Sequence, residues 1–123
     1  MEARVLRAIR FKRLPIFQQL CIEEALFYRT DDNWLLFNEG SLRGPPTVVL
    51  GISGKPEKMC NLDLVQRDKV PLIKRFSGGG TVIVDQNTVF STLIMNQASV
   101  RTLSYQYVYS SICADSQYTW LWA

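Results

Sequence analysis

The chain has 123 residues, the usual size of one domain, so we expect a single hydrophobic core. Hydrophobic residues make up 47% of it and charged residues 20%, and no apolar run approaches the roughly 20 residues that a membrane-spanning helix needs. The formal charge of +3 is small, and the basic residues do not form a recognisable nucleic-acid module. Composition therefore favours a soluble domain with neither a membrane nor a nucleic acid as partner.

The reactive side chains exclude several further classes of protein. The three cysteines, Cys21, Cys60 and Cys113, are odd in number and form no C-x-x-C pair, which argues against a disulfide framework or a zinc site. The chain contains no histidine, so Ser-His-Asp and Cys-His catalytic systems are impossible within it. We therefore expect an intracellular protein, in the cytoplasm or in an organelle, without a metal site.

The chain begins with a basic segment, residues 1–14. Its basic residues are Arg4, Arg7, Arg10, Lys12 and Arg13, and its only acid is Glu2. This composition predicts a solvated basic arm. The start of an organelle transit segment is the alternative, although such segments are rich in serine and this one has none.

Residues 15–96 are predicted to form an α/β domain that opens with a helix from about Ile16 to Thr30. Pro15 suits the first position of this helix because it has no N–H to leave unpaired. Helical spacing predicts a buried stripe of Ile16, Phe17, Leu20, Cys21, Ala25, Phe27 and Tyr28. Glu24 falls inside this stripe, where it would either lie at a wet rim or pair with a cation such as Arg75.

A series of short β-branched and apolar segments follows the helix. The predicted strands are Trp34–Phe37, Thr47–Leu50, Val70–Lys74, Thr81–Val84 and Thr88–Met95. Asn61 is expected to cap a short helix from Leu62 to about Asp68. The last two strands are expected to pair as a hairpin through Asp85, Gln86 and Asn87. The order predicts a mixed or antiparallel sheet with packed helices.

The composition changes abruptly after Asn96. Between residues 97 and 123 the only charged residues are Arg101 and Asp115, and the segment is rich in Ser, Tyr and Trp. We interpret residues 97–123 as an atypical tail that is distinct from the domain.

Three successive glycines, Gly78, Gly79 and Gly80, lie between two of the predicted strands. Without side chains the backbone can adopt positive φ and turn its N–H groups toward a ligand, which creates an anion-binding concavity. Arg75 adds a planar donor fork for the same anion. The pattern is neither a Walker loop nor a dinucleotide fingerprint, since no G-x-x-x-x-G-K-[ST] is present and a strand follows the glycines. A tight turn without a ligand is the alternative.

The residues around the glycines are more specific than the glycines themselves. Lys74-Arg75-Phe76-Ser77-Gly78-Gly79-Gly80-Thr81-Val82, followed by Asp85, resembles the R-R-x-[ST]-G-G-G-[AT]-V-x-x-D signature of the lipoate-protein ligase A family. Lys74 replaces the first Arg of that signature, and Val84 stands where the ligases commonly have His. Gln19-Leu20-Cys21-Ile22-Glu23-Glu24-Ala25-Leu26 is similar to the family's first helix, and Thr47-Val48-Val49-Leu50-Gly51 to its T-V-V-[IL]-G strand. The likeness covers about Pro15 to Asn96, the N-terminal part of a biotin/lipoate A/B protein ligase catalytic domain.

This resemblance implies an incomplete fold of the class II aminoacyl-tRNA synthetase and biotin ligase type. Family members use ATP, which Mg²⁺ can accompany, to convert lipoate or a fatty acid into an acyl adenylate. They then transfer the acyl group to a lysine of a lipoyl-acceptor domain. By resemblance, the residues that bind the substrate or adenylate are Arg75, Ser77, Gly78, Gly79, Gly80, Thr81 and Asp85.

Three of the implied assignments have alternatives. Asp85 would orient the predicted hairpin or a ribose, or act only as a turn residue. Lys55 and Lys58 lie on a loop that borders the lipoyl tunnel in the family, although most loop lysines are merely solvated.

The family's invariant lysine lies well beyond the glycines, whereas no lysine follows Lys74 in this sequence. We therefore assign no catalytic residue and expect a truncated, inactive ligase domain. The alternatives are a non-catalytic module that binds an acyl group or an adenylate, and a remnant of alternative splicing.

Overall fold

The computed structural model describes residues 5–40, 45–95, 107–114 and 117–121. Its elements are β1 (Leu6–Lys12), α1 (Ile16–Arg29), β2 (Asn33–Glu39), β3 (Thr47–Leu50), α2 (Pro56–Met59), α3 (Leu62–Arg67), β4 (Leu72–Lys74), β5 (Val82–Val84), β6 (Val89–Met95), β7 (Tyr107–Ala114) and β8 (Gln117–Leu121). The strands form a five-stranded sheet of order β1-β2-β6-β7-β8 and a three-stranded sheet of order β4-β3-β5. Each sheet contains parallel and antiparallel pairs, so the predicted mixed α/β class is confirmed.

The helix α1 buries a different face from the one predicted. Its buried residues are Ile16, Gln19, Leu20 and Glu23. The exposed members of the predicted stripe are Phe17, Cys21, Ala25 and Tyr28. The buried face is rotated toward Gln19 and Glu23 because both side chains find hydrogen-bond partners inside the protein, which removes most of the cost of burying them.

Two apolar clusters pack α1 against both sheets. The first cluster consists of Ile16, Leu20, Val49, Val84 and Phe90. The second is centred on Leu36 and Ile94, and it includes Phe27 of α1 and Phe76 from the segment before the glycines. Since α1 contributes to both clusters, this helix joins the two sheets and supports the glycine segment. In the described parts of the chain, no helix combines the length and apolar character needed to cross a membrane.

The predicted hairpin of β5 and β6 is wrong, although both strands exist. β5 pairs antiparallel with β3, whereas β6 pairs antiparallel with β2 in the other sheet. The turn between them is built by Asp85, whose Oδ1 accepts hydrogen bonds from the Asn87 N–H and the Thr88 hydroxyl, each at 2.9 Å. This turn carries the chain from the small sheet to the large one. The turn-forming residues Asp85, Gln86 and Asn87 indicate that the chain reverses direction here, but they do not indicate which strand pairs with β5 or with β6.

Most of the predicted basic arm is a strand. Leu6–Lys12 form β1, which lies parallel to β2 at the edge of the large sheet. Arg7 pairs with Asp32 at 2.9 Å, and Arg10 pairs with Glu39. The partly buried Ile9 and Phe11 alternate with exposed residues, a period of two that the basic side chains obscure in the sequence. Arg4 lies outside the described residues.

The backbone continues the large sheet into the segment that composition separates from the domain. β7 pairs antiparallel with β6, so that Val89 lies opposite Cys113, and β8 pairs antiparallel with β7. The change of composition at Asn96 is therefore not the end of the sheet. Residues 97–106, 115–116 and 122–123, which belong to the predicted tail, lie outside the described residues.

Candidate functional site

The glycine loop, residues 75–81, connects β4 to β5 and packs against the end of β3. The Arg75 N–H donates to the Leu50 carbonyl at 2.9 Å, and the Ile52 N–H donates to the Ser77 carbonyl at 3.0 Å. A Cβ atom at Gly51 would lie 2.2 Å from the Gly79 carbonyl oxygen, so only glycine permits this approach. Gly79 itself has φ of 99°, a conformation that favours glycine. The loop is therefore fixed by backbone contacts that tolerate no side chain at Gly51.

Arg75 is buried beneath its own loop, with 4% of its surface exposed. Its Nε and Nη2 donate to the Gly78 carbonyl at 3.0 and 2.7 Å, and Nη2 also donates to the Gly80 carbonyl at 3.2 Å. The Nη1 atom is buried, and within the described residues it has no hydrogen-bond partner. One edge of the guanidinium therefore shapes the loop, while Nη1 retains donor capacity for an anion.

A cleft of about 370 Å³ opens beside the loop. It is lined by Ser53, Gly54, Lys55, Lys58, Met59, Gly79, Gly80 and Thr81. The structure thus brings three of the predicted site residues together with both loop lysines. Two cations beside glycine backbone give the cleft the character of an anion site, and Met59 adds an apolar wall.

The other predicted site residues do not line this cleft. Ser77 is half-buried and its carbonyl holds Ile52, as described above. A Cβ atom at Gly78 would meet no atom within 4 Å, so the Cα of this glycine faces open space. The Asp85 carboxylate is engaged in the turn before β6, and the Asp85 N–H donates to the Thr88 hydroxyl at 3.0 Å. These bonds match the turn role that the sequence offered as its alternative.

A second cavity, of about 700 Å³, lies elsewhere on the surface. It is lined by Lys12, Arg13, Phe37, Glu39, Gly40, Gln86, Asn87 and Val89. None of the residues of the glycine loop reaches it. We take the smaller cleft as the candidate site because the anion-binding backbone and the two lysines lie there. Within the described ranges, His, Cys, Asp and Glu side chains form no group of three that could hold a metal ion.

A buried polar network lies on the inner face of α1, between this helix and the strands β2 and β6. Oε1 of Glu23, which is 1% exposed, accepts hydrogen bonds from Gln19 Nε2 at 2.8 Å and from the Thr92 hydroxyl at 2.7 Å. The Gln19 Oε1 in turn accepts from Asn38 Nδ2 at 2.8 Å. Burial raises the pKa of Glu23, and its hydrogen bonds and the charge of Arg75 oppose this shift. Burial likewise lowers the pKa of Arg75, an effect that the Glu23 charge opposes.

The sequence pattern selects the wrong carboxylate for this environment. Glu24 is exposed, so its predicted pairing with Arg75 is not formed, and Glu23 is the buried acid that interacts electrostatically with Arg75. The local sequence does not indicate that Glu23 is buried, because Thr92, the partner that makes its burial tolerable, lies 69 residues away in the chain. One local feature does indicate that the two side chains interact, since Gln19 and Glu23 are four residues apart and occupy one helical face.

Comparison with known proteins relates most of the chain to one family of catalytic domains. The family model of the lipoyl protein ligase A/B catalytic domain matches residues 15–114 of the chain. The match extends past Asn96 into β7, as the sheet does. Among curated proteins, the chain is similar to inactive lipoate–protein ligase 2 of Plasmodium falciparum (isolate 3D7), with 25% identity over 87% of this chain and 36% of that protein.

Three solved structures share the fold. P. falciparum LipL1 in complex with lipoate has a TM-score of 0.64 and 21% identity, over 76% of this chain and 31% of that chain. Lipoate-protein ligase A bound with ATP has a TM-score of 0.57 and 23% identity, over 77% of this chain and 37% of that chain. A bipartite lipoate protein ligase of Thermoplasma acidophilum, studied with its E2 lipoyl domain, has a TM-score of 0.60 and 22% identity, over 72% of this chain and 35% of that chain. The chain thus spans about a third of the length of each of these relatives.

Proposed function

This chain belongs to the lipoyl protein ligase A/B catalytic domain family, and on that premise we propose that its glycine loop binds the anionic part of an acyl adenylate. The observation that carries this proposal is Arg75, a buried guanidinium that shapes the loop with two nitrogens and keeps Nη1 without a partner in the described residues. A guanidinium binds carboxylate and phosphate groups through charge-assisted hydrogen bonds. Both groups are present in an acyl adenylate.

The cleft beside the loop supplies the remaining contacts that such a ligand needs. Gly79, Gly80 and Thr81 would line the adenylate, and Lys55 and Lys58, which line the same cleft, would balance its charge. In this proposal the Ser77 hydroxyl and the open face of Gly78 lie toward the same ligand. The substrates of the complete reaction would be ATP, with Mg²⁺ as its counterion, and lipoate or a related fatty acid, in keeping with the relatives solved with ATP and with lipoate.

Asp85 has a less direct place in the proposal. Its carboxylate holds the turn before β6, and we propose that it orients the end of β5 beside the ligand, with a ribose contact as the second role. The turn contacts support the first of these roles.

Binding, and not acyl transfer, is the activity proposed for these 123 residues. The sequence contains no lysine after Lys74 that could contact the reacting carboxylate, and the curated relative is itself described as inactive. A lipoyl domain is the proposed partner of the complete reaction, since one family member is known with its E2 lipoyl domain. Release of AMP from ATP and lipoate by this polypeptide would contradict a purely binding role.

Calorimetric titration with a non-hydrolysable lipoyl-adenylate analogue tests the binding site directly. We expect saturable binding that Arg75→Ala weakens by about 1.5 to 3 kcal/mol, the range for a hydrogen bond to a charged group. Arg75→Lys should recover only part of this loss, because a point charge does not replace a planar fork. Arg67→Ala is the matched control, since Arg67 is an exposed arginine that pairs with Asp68. A folded Arg75→Ala protein with unchanged affinity would refute the proposal.

A further inference from the structure

Glu23 lies one helical turn before Phe27 on α1, and the Phe27 ring packs against Phe76 of the glycine loop with the ring centroids 5.5 Å apart. Residues from three elements hold the Glu23 carboxylate in place. Thr92 of β6 and Gln19 of α1 both donate to its Oε1, and Asn38 of β2 fixes the Gln19 amide. The members of this network are at most 3% exposed. Such a network leaves the carboxylate little freedom to move away from the loop when a ligand binds.

Glu23 and Arg75 interact through charge and make no direct hydrogen bond. The guanidinium is oriented by the carbonyls of Gly78 and Gly80, so its position does not depend on the carboxylate. Both groups are buried, at 1% and 4% exposure, where a charge is screened much less than at the surface. Glu23 therefore changes the electrostatic potential at Arg75 without being needed for its geometry.

We propose that Glu23 acts on the site electrostatically, through Arg75, and that its negative charge limits how tightly the glycine loop binds an anion. This inference rests on the proposed function, because it concerns the same site. With Glu23 ionised, the buried pair is neutral and a bound anion adds a second negative charge nearby. With Glu23 protonated, or replaced by Gln, the guanidinium charge acts on the anion without opposition. Anion affinity should then be higher.

The surroundings of Glu23 determine how this effect depends on pH. The charged group that faces it from the glycine loop is Arg75, and the groups from β2 and β6 are the uncharged Asn38 and Thr92. Glu24, the neighbouring acid on α1, is exposed. Because burial raises the pKa of Glu23, its protonation extends to higher pH than for an exposed acid. Affinity for an anion should rise as the pH falls through the pKa of Glu23 in the folded protein.

A binding titration over about pH 5 to pH 8 tests this inference, since a solvated carboxyl is already ionised through most of that range. The probe is the adenosine 5′-phosphodiester of the alcohol corresponding to lipoic acid, whose phosphate keeps one negative charge throughout. Glu23→Gln should bind it about tenfold more tightly than the wild type at the upper end of the range, the order of effect of removing one buried charge. Its affinity should also lose the pH dependence attributed to Glu23. Glu24→Gln, which removes the same charge from an exposed position, should retain the wild-type profile.

Thr92→Val provides a second variant that keeps the carboxylate. It removes a hydrogen bond that stabilises the ionised form, so the midpoint of the affinity profile should move to higher pH. A role of Glu23 in folding alone would leave this midpoint unchanged.

The outcomes separate this inference from the proposed function. If the wild type binds the probe, Arg75→Ala does not, and Glu23→Gln behaves like Glu24→Gln, the inference is wrong and the proposed site stands. If Glu23→Gln binds more weakly while remaining folded, the inference is also overturned. Failure of the wild-type protein to bind overturns both. Tighter binding by Glu23→Gln together with the shifted midpoint of Thr92→Val supports both.

Discussion

Replacing Gly51 with alanine should distort the glycine loop, although Gly51 is not part of that loop. The added Cβ would lie 2.2 Å from the Gly79 carbonyl oxygen and 3.1 Å from the Gly79 carbonyl carbon. Ordinary van der Waals contact begins near about 3.4 Å, so the backbone segments must separate by about 1 Å. That separation would break the hydrogen bond from the Ile52 N–H to the Ser77 carbonyl, which is 3.0 Å long.

The expected cost of Gly51→Ala is about 1 to 3 kcal/mol, the range for forcing extra atoms into a well-packed site. For a domain of this size, each 1 kcal/mol corresponds to a fall of roughly 4 °C in melting temperature. Urea denaturation and thermal melting of the variant measure the loss. Affinity for the adenylate analogue should fall as well, because the displaced Gly79 lies between the two glycines whose carbonyls orient Arg75.

Gly78→Ala is the matched control for this prediction. The Cβ atom at Gly78 meets nothing within 4 Å, so this variant should stay within about 0.5 kcal/mol of the wild type in stability. The opposite outcome would be a Gly51→Ala protein with the melting temperature of Gly78→Ala and the affinity of the wild type. That result would show that the close approach of Gly51 to Gly79 does not constrain the loop.

Three further predictions concern the core, the turn and the buried acid. Leu36→Ala should lower the free energy of unfolding, measured by urea denaturation, by about 2 to 5 kcal/mol because Leu36 is fully buried. Ile83→Ala should lower it much less because Ile83 is 63% exposed, and equal losses would contradict the assigned core. Asp85→Ala should lower stability by about 1 kcal/mol through loss of the turn contacts, and an accompanying loss of affinity well beyond that of destabilised controls would favour the ribose role. Since the pKa of Glu23 is raised on folding, its contribution to stability is complete at acid pH and is lost as the pH rises through the folded-state pKa. Glu23→Gln should therefore remove this decline when unfolding is followed from about pH 5 to about pH 8, and a variant with the same decline as the wild type would contradict the assignment.

The features that the sequence predicts well are those encoded by neighbouring residues. Asn61 caps α3 by accepting a hydrogen bond from the Leu64 N–H at 3.3 Å, as its position before an apolar run indicates. The helix α1 and the strand β3 also have nearly or fully the expected bounds. The glycine loop lies between two strands, as predicted, because its conformation depends on residues that are adjacent in the chain.

The features that the sequence does not reveal depend on partners far along the chain. β5 and β6 are adjacent in sequence but pair with β3 and β2, which no turn motif specifies. β1 is read as a basic arm because its alternation is weak and its pairing with β2 is not visible locally. Gln19 and Glu23 fall outside the predicted buried stripe, because their burial depends on hydrogen bonds to Asn38 and Thr92, which lie on distant strands. In each case a contact across the fold outweighs the local pattern.

The double role of Arg75 determines how any variant at this position must be interpreted. The same guanidinium closes the loop through Gly78 and Gly80 and keeps Nη1 without a partner in the described residues. In the proposed function, Arg75→Ala therefore removes a structural contact and a binding contact together. Gly78→Ala tests the ligand side alone, because it adds a methyl group to open space and leaves the carbonyl contacts in place. If the adenylate lies over the loop, Gly78→Ala should weaken binding at unchanged melting temperature. If Gly78→Ala has wild-type affinity while Arg75→Ala loses both affinity and stability, Arg75 is a residue of the loop's architecture and the anion lies elsewhere in the cleft.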